Sequence, residues 1–392
     1  MSATDQLQPG DQAVVVSHYD EDKSALLGRC LVPIALRLQA GYGTAPCYLE
    51  RHWFRGPHIR LVVPGSLPGG VVMEEVVAPI RAYLTRHPST TPLVTEDYLR
   101  LSEELGRAEL VRPPYGPLRP DNTVSVEDQA AQAQASTVLI GESGYRLKQL
   151  YLTQAVRPLE AALAAVGRGA HRAVPAFQAL VANAARWPVG GLVTGQLSYR
   201  SHLEDFLAND DGDGRIRARF EDQFGRTKAK FARVLAEFLE NSTDGVYTGA
   251  DPCLRAWTDV FDTVWPRVLA AAERRDFEED LGPGYLDQAG LFDPQTERQW
   301  RFGSDRPSSE FHAQLGKLNF LDERVNVVPF AAYRFLTNNL TRWLPLLDVP
   351  PIERYFLSYA VSELVESHFG TSWRTQFEQI RTHGRLAPEA SS

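Results

Sequence analysis

Two histidines and three arginines fall within ten residues of one stretch: Arg51, His52, Arg55, His58 and Arg60, in the run CYLERHWFRGPHIRLVV. Successive side chains of an extended strand alternate, so His58 and Arg60 share a face. A histidine beside an arginine makes a general acid/base next to an anion-stabilising group. Arg51 joins these two as the third candidate catalytic residue. The plainer reading is an exposed strand face with its cations solvated or paired to nearby acids, and pattern alone favours it.

The other polar clusters point to less. Residues 209–214 (NDDGDG) resemble the opening of a calcium loop, but its twelfth position is Phe220 rather than a bidentate Glu, and Arg215 and Arg217 add positive charge. An acidic loop capping a helix that starts near Ile216 explains it more simply. Residues 140–144 (IGESG) lack the spacing of a nucleophile elbow. The sequence has no GxGxxG, phosphate loop or HExxH, so nicotinamide hydride transfer, phosphoryl transfer and zinc proteolysis lose their usual support. The three cysteines, Cys30, Cys47 and Cys253, form no CxxC and read as small buried apolar residues. No metal site is expected.

The 41 basic and 49 acidic side chains leave a net charge of −8, which argues against binding a nucleic-acid backbone. No apolar run reaches the roughly 18 residues of a membrane span. The polar first ten residues carry no signal-peptide core, and a cytoplasmic protein is expected.

The elements that must position these residues follow from periodicity. Residues 12–18 read as a strand and 24–38 as a helix. Residues 47–63 read as two strands about a turn at Arg55-Gly56-Pro57, in a mixed sheet with the first strand. Residues 69–86 read as a helix that Pro79 kinks, and the proline-rich 113–122 as extended loop. Helical patterning covers 126–135, 145–166, 175–185, 216–240 and 254–273. After a mobile-looking stretch at 280–306 it resumes at 309–319, 330–344 and 352–369. The expected fold class is α+β, an N-terminal β-sheet with helices followed by a largely α-helical remainder. We read one domain over 1–392, sheet-bearing to 122 and helical over 123–386, with a disordered tail at 387–392.

Residues 48–61 (YLERHWFRGPHIRL) resemble the FIRYxDxGPHLRLR strand pair of the thiopeptide-type bacteriocin biosynthesis domain. That is the elimination domain at the C-terminus of lanthipeptide dehydratases. Residues 335–343 (FLTNNLTRW) and 349–355 (VPPIERY) are similar to the closing helical pair of the family. In eliminating members a glutamylated Ser or Thr loses its α-proton and then glutamate. Arginines, a Glu-x-x-Arg pair after a YxPE stretch, and a closing-helix histidine carry that step. Here Arg60 is retained, Leu118 and Asp121 stand in place of the Glu and Arg, and Thr337 replaces the histidine.

A frame without the eliminating set is similar to the pyridine synthases of thiopeptide biosynthesis. These join two dehydroalanines in a formal [4+2] cycloaddition, then expel water and the leader peptide. On that resemblance Arg60 and His58 polarise an amide oxygen and shuttle protons. Tyr48, Trp53 and Phe54 wall an apolar cleft, unless they are simply core. Arg342 and Tyr355, in the closing helices, complete the candidate substrate-binding set. Three readings stay open: the cycloaddition, a glutamate-eliminating subunit of a split dehydratase, and a non-catalytic leader-peptide-binding partner. None implies a cofactor. The implied partner is a precursor peptide, leader plus core, and a split system adds a separate glutamylating dehydratase subunit. The leader is expected to bind near the N-terminal sheet, added as a strand to a sheet edge.

Overall fold

The computed structural model describes residues 10–43, 46–277, 283–300, 308–318 and 324–383. The fold is α+β, with the sheet near the N-terminus and helices dominating the rest. The chain divides into two compact units. One comprises Met1–Ala164, Arg275–Gly303 and Pro345–Asp348, and the other Ala165–Arg274, Ser304–Leu344 and Val349–Ser392. The sheet-bearing unit thus extends past the boundary at 122 read from patterning.

Its sheet has four strands: β1 (Gln12–Ser17), β2 (Tyr48–His52), β3 (His58–Val63) and β4 (Thr123–Asp128). Their order is β2-β3-β1-β4 and every pairing is antiparallel, so the expected mixed sheet is corrected. The tight hairpin makes β2 and β3 antiparallel, and the long connections from β1 to β2 and from β3 to β4 leave the other two pairings free to be antiparallel as well. Residues 126–135, expected to be helical, are split. Val124 and Val126 extend the sheet opposite Val16 and Val14, and the helix Ala130–Gln154 starts only after them.

One sheet face is apolar. Val14, Val16, Leu49, Ile59 and Leu61 are each at most 2% exposed. Burying a side chain of this kind stabilises the fold by roughly 1.5–3 kcal/mol. Two helices pack against the sheet, one running from Ser24 to Tyr42 and the other from Gly69 to Arg86. Each contains a wider π-helical segment, Leu27–Leu31 and Val72–Val77, just ahead of Pro33 and Pro79. A proline lacks the N–H and crowds the preceding turn, and a π turn relieves both problems without ending the helix.

The helix Thr95–Glu109 was not anticipated, because its buried stripe is Tyr98, Ser102 and Gly106 rather than large aliphatics. Gly106 leaves room for the Tyr115 hydroxyl, which a Cβ would displace. The span 145–166 is two helices, Ala130–Gln154 and Val156–Gly167, and the first is kinked at Gly141 (φ 74°, ψ 166°). In the stretch 280–306 the described residues include two short helices, Pro283–Gly290 and Pro294–Trp300, and 280–282 and 301–306 lie outside the described residues. So does the tail at 387–392.

The second unit is built of helices with one small hairpin, Ser242–Thr243 with Val246–Tyr247. The helix Pro351–Phe369 runs along Gly191–Asp210, and Trp257 meets Trp343 edge to face at 4.8 Å. The acidic loop caps a helix as expected. Asp211 accepts from the N–H groups of Ile216 (2.7 Å) and Arg217 (2.9 Å) at the start of Arg215–Glu240. No helix among the described residues is long and apolar enough to cross a membrane.

Candidate functional site

The second face of the sheet is polar toward the β2–β3 turn, beyond the buried row of Ala13, Val62 and Tyr48. Register places Glu50 opposite Arg60 and His52 opposite His58, with Val15 and Ser17 of β1 continuing the rows. His58 and Arg60 lie side by side on this face, 1% and 7% exposed. The turn between the strands is tight: Arg55 and Gly56 both have positive φ (61° and 109°), and the Gly56 N–H bonds to the Trp53 carbonyl at 3.0 Å.

That turn sets the state of both imidazoles. His58 Nδ1 lies 2.8 Å from the Gly56 carbonyl oxygen. A carbonyl only accepts, so Nδ1 carries the proton and Nε2 presents a bare lone pair. His52 is the opposite tautomer, because its Nδ1 accepts from the N–H groups of Trp53 and Phe54, each at 3.0 Å. The rings stack 5.5 Å apart at 19°. Burial, and then the Arg60 charge, push His52 down to about 4. Burial and the adjacent His52 hold His58 well below the ordinary histidine value. Both imidazoles are therefore neutral near pH 7, and His58 Nε2 can take a proton.

Arg60 donates through Nη2 to the Gln129 amide oxygen. Arg60 Nε, Gln129 Nε2 and His58 Nε2 are buried and have no hydrogen-bond partner in the protein. Two unspent donors and one unspent acceptor thus gather on one face. Beside them Lys148, from the helix Ala130–Gln154, pairs with Glu50 at 2.7 Å. Burial pushes the Glu50 carboxyl up, but Lys148 and then Arg60 outweigh it and hold it below its ordinary value.

The hairpin tip is fastened by a residue that sequence reasoning passed over. Arg119 donates through Nη1 to the Phe54 carbonyl (2.7 Å) and through its backbone N–H to the Arg55 carbonyl (2.7 Å). Its Nη2 makes a two-pronged contact to Glu127 on β4, at 2.9 and 3.0 Å. The Tyr19 hydroxyl donates to the Arg119 carbonyl and lies against Gly56.

The other candidates are distributed. Arg51 lies on the opposite sheet face, opposite Ile59, where it pairs with Asp348 and donates to the Pro345 carbonyl at 3.2 Å. Tyr48 is 1% exposed, with its hydroxyl hydrogen-bonded to Tyr145. Trp53 and Phe54 are half-buried at the hairpin tip, with ring centroids 5.8 and 6.4 Å from Tyr115. Tyr115 also lines a cleft of about 690 Å³ with Leu99, Arg112, Leu291 and Phe292. Arg342 and Tyr355 belong to the second unit. Arg342 is exposed, and Tyr355 stacks on Phe206 at 3.9 Å. In that unit Thr337 is buried and accepts from Asn183 at 3.0 Å.

Gln129 and Lys148 escaped sequence reasoning because a single amide just before a helix, or a single ammonium within one, carries no spacing signal. The thiols take no part: burial pushes Cys30 up to about 11 and Cys47 and Cys253 up to about 12, so none is a thiolate near pH 7. Among the described residues no three His, Cys, Asp or Glu gather as metal ligands would.

No protein-family model matches the sequence, and no curated protein matches it. Solved structures do. The pyridine synthase TbtD from thiomuracin biosynthesis superposes with a TM-score of 0.65 over 92% of this chain and 99% of its own, at 22% identity. TsrL superposes with a TM-score of 0.61 over 97% and 99%, at 17% identity. The chain shares their fold along nearly its whole length.

Proposed function

We propose that the chain is a maturation enzyme for a ribosomally made peptide, and that it joins two dehydroalanines of a leader-bearing precursor in a formal [4+2] cycloaddition. The observation that carries the reading is the buried pair of His58 and Arg60, which keeps an unspent acceptor beside an unspent donor. The reaction needs an amide in its imidic form. His58 Nε2 takes the amide proton while Arg60 Nε–H stabilises the charge growing on the oxygen. The resulting 2-azadiene adds to the second alkene, forming two C–C bonds: the former amide carbonyl carbon and the alkene CH2 of the first dehydroalanine bond to the two alkene carbons of the second. Loss of water, and of the leader as an amide, then gives the aromatic ring with no redox partner. The partly exposed His52 ring lies against His58. The fold shared with TbtD supports the same reading.

Glutamate elimination is the second reading. It is disfavoured by Leu118 and Asp121 at the expected Glu and Arg positions, and by Thr337, whose hydroxyl already accepts from Asn183. A non-catalytic leader-binding role predicts no turnover at all. The test is to incubate the protein with a precursor carrying two dehydroalanines and follow mass and ultraviolet absorbance. Release of the leader with a new pyridine chromophore supports the cycloaddition. An unchanged dehydrated peptide, alongside glutamate loss from a glutamylated one, would replace it with elimination.

A further inference from the structure

We infer that Arg119 is a positioning residue that fixes the tautomer of His58, acting through the hairpin turn rather than by touching substrate. This deepens the reading of His58 as a base and rests on it for its catalytic consequence, but not for its structural one.

The link is continuous in hydrogen bonds. Glu127, on β4, holds the guanidinium of Arg119 by two prongs at 2.9 and 3.0 Å. So anchored, Arg119 takes two successive carbonyls of the turn, Phe54 and Arg55, each at 2.7 Å. Those contacts hold Arg55 and Gly56 at φ 61° and 109°. A non-glycine residue at positive φ is costly unless its surroundings impose it, and Arg119 imposes it at Arg55. The next carbonyl, that of Gly56, points at His58 Nδ1 and selects the tautomer with a bare Nε2. Tyr19 closes the far side, because its hydroxyl donates to the Arg119 carbonyl and a Cβ on Gly56 would lie 3.1 Å from it.

A planar fork is needed for this. Lysine keeps the charge but has one nitrogen where Arg119 uses two, Nη1 for the Phe54 carbonyl and Nη2 for Glu127. The same substitution therefore separates geometry from electrostatics. In Arg119→Lys the backbone N–H still holds the Arg55 carbonyl, but the side-chain hold on the Phe54 carbonyl is lost, the turn loosens, and the Nε2–H tautomer of His58 becomes populated.

The experiment is long-range ¹⁵N–¹H correlation of the full-length protein labelled with ¹⁵N-histidine. The wild type is expected to show a single His58 ring with Nδ1 protonated. Arg119→Lys is expected to show mixed tautomers while melting close to wild type. Glu127→Gln, which weakens the anchor without touching the turn, should show a smaller admixture. On a dehydrated precursor, Arg119→Lys should lower kcat roughly 10- to 100-fold with little change in KM, the usual cost of losing a partner that orients a functional imidazole. A single Nδ1-protonated tautomer in both variants overturns the inference whatever the activity. Mixed tautomers in a protein that never turns over leave the inference standing and remove the proposed reaction instead. If Arg119→Lys does not fold, Glu127→Gln alone decides, and an unaltered His58 tautomer there counts against the inference.

Discussion

The stacked imidazoles make acid stability a quantitative test of the polar face. His52 is held down to about 4 against an ordinary value near 6.5, because the folded state has no room for its charge between burial and Arg60. The unfolded chain protonates it freely below 6.5. Between 6.5 and 4 the unfolded state binds the extra proton, so stability must fall as pH falls, and above 6.5 the effect is absent. At 1.36 kcal/mol per pH unit, the loss from His52 alone is about 2 kcal/mol at pH 5 and about 3 kcal/mol below pH 4. His58 is displaced in the same direction and adds to it. Asp20 and Glu50, both held below their ordinary carboxyl values, lose stability only at lower pH, from about 4.5 downward. Asp11 and Asp348, pushed up by burial, act with the opposite sign and do not contribute to this fall. The assay is urea denaturation at pH 8, 7, 6 and 5, in parallel with the double variant His52→Asn/His58→Asn. Asparagine keeps polar atoms near Nδ1 and cannot titrate. The wild type should lose about 2 kcal/mol or more between pH 7 and 5, and the double variant much less. Equal slopes in the two proteins would refute the assignment of these histidines as neutral buried groups.

Three further outcomes follow from the same contacts. Lys148→Met strands Glu50 beside the sheet and should cost about 3–5 kcal/mol in urea denaturation, while adding Glu50→Gln should recover most of it. His58→Ala and Arg60→Ala should each lower turnover of a dehydrated precursor, by about 10²–10⁴ for a lost base and about 10²–10³ for a lost oxyanion donor, at near-native melting. If activity and melting fall together, the pair is structural. The cognate leader alone should bind with micromolar affinity, about −8 kcal/mol, and protect β4 amides from hydrogen exchange, since β4 is an edge strand with Val126 exposed. No heat with leader, together with turnover of a leaderless core, would rule this out.

What was legible in the sequence is what depends on neighbours along the chain. Alternation placed β1 and the β2–β3 hairpin, and therefore put His58 and Arg60 on one face. The helices with stripes of large apolar residues, such as Arg215–Glu240 and Pro252–Arg274, were equally plain. Elements whose buried stripe is small or polar were not. Tyr98, Ser102 and Gly106 hide Thr95–Glu109, and Thr194, Gln196 and Arg200 hide Gly191–Asp210. Strand β4 was concealed because its six residues run almost directly into a helix, and only pairing with β1 reveals them as extended. The face on which Arg51 lies depends on the register across the hairpin, which composition does not announce.

The partners of the site lie further out of reach, and they are what distinguishes the two readings of the cationic cluster. Gln129 and Lys148 arrive from 69 and 98 residues beyond Arg60 and Glu50, and Arg119, anchored by Glu127, from 65 residues beyond the Phe54 carbonyl it holds. An exposed cationic strand would have needed none of them. The ion pair of Glu50 is made with Lys148, and Gln129 takes only one edge of Arg60. Leaving buried donors and acceptors unpaired costs about 1–3 kcal/mol each, and His58 Nε2, Arg60 Nε and Gln129 Nε2 are three such atoms on one face. A sheet selected for stability alone would carry apolar side chains there, as its other face does with Leu49, Ile59 and Leu61. The asymmetry between the two faces of one four-stranded sheet is therefore the strongest physical reason to look for chemistry at His58 and Arg60.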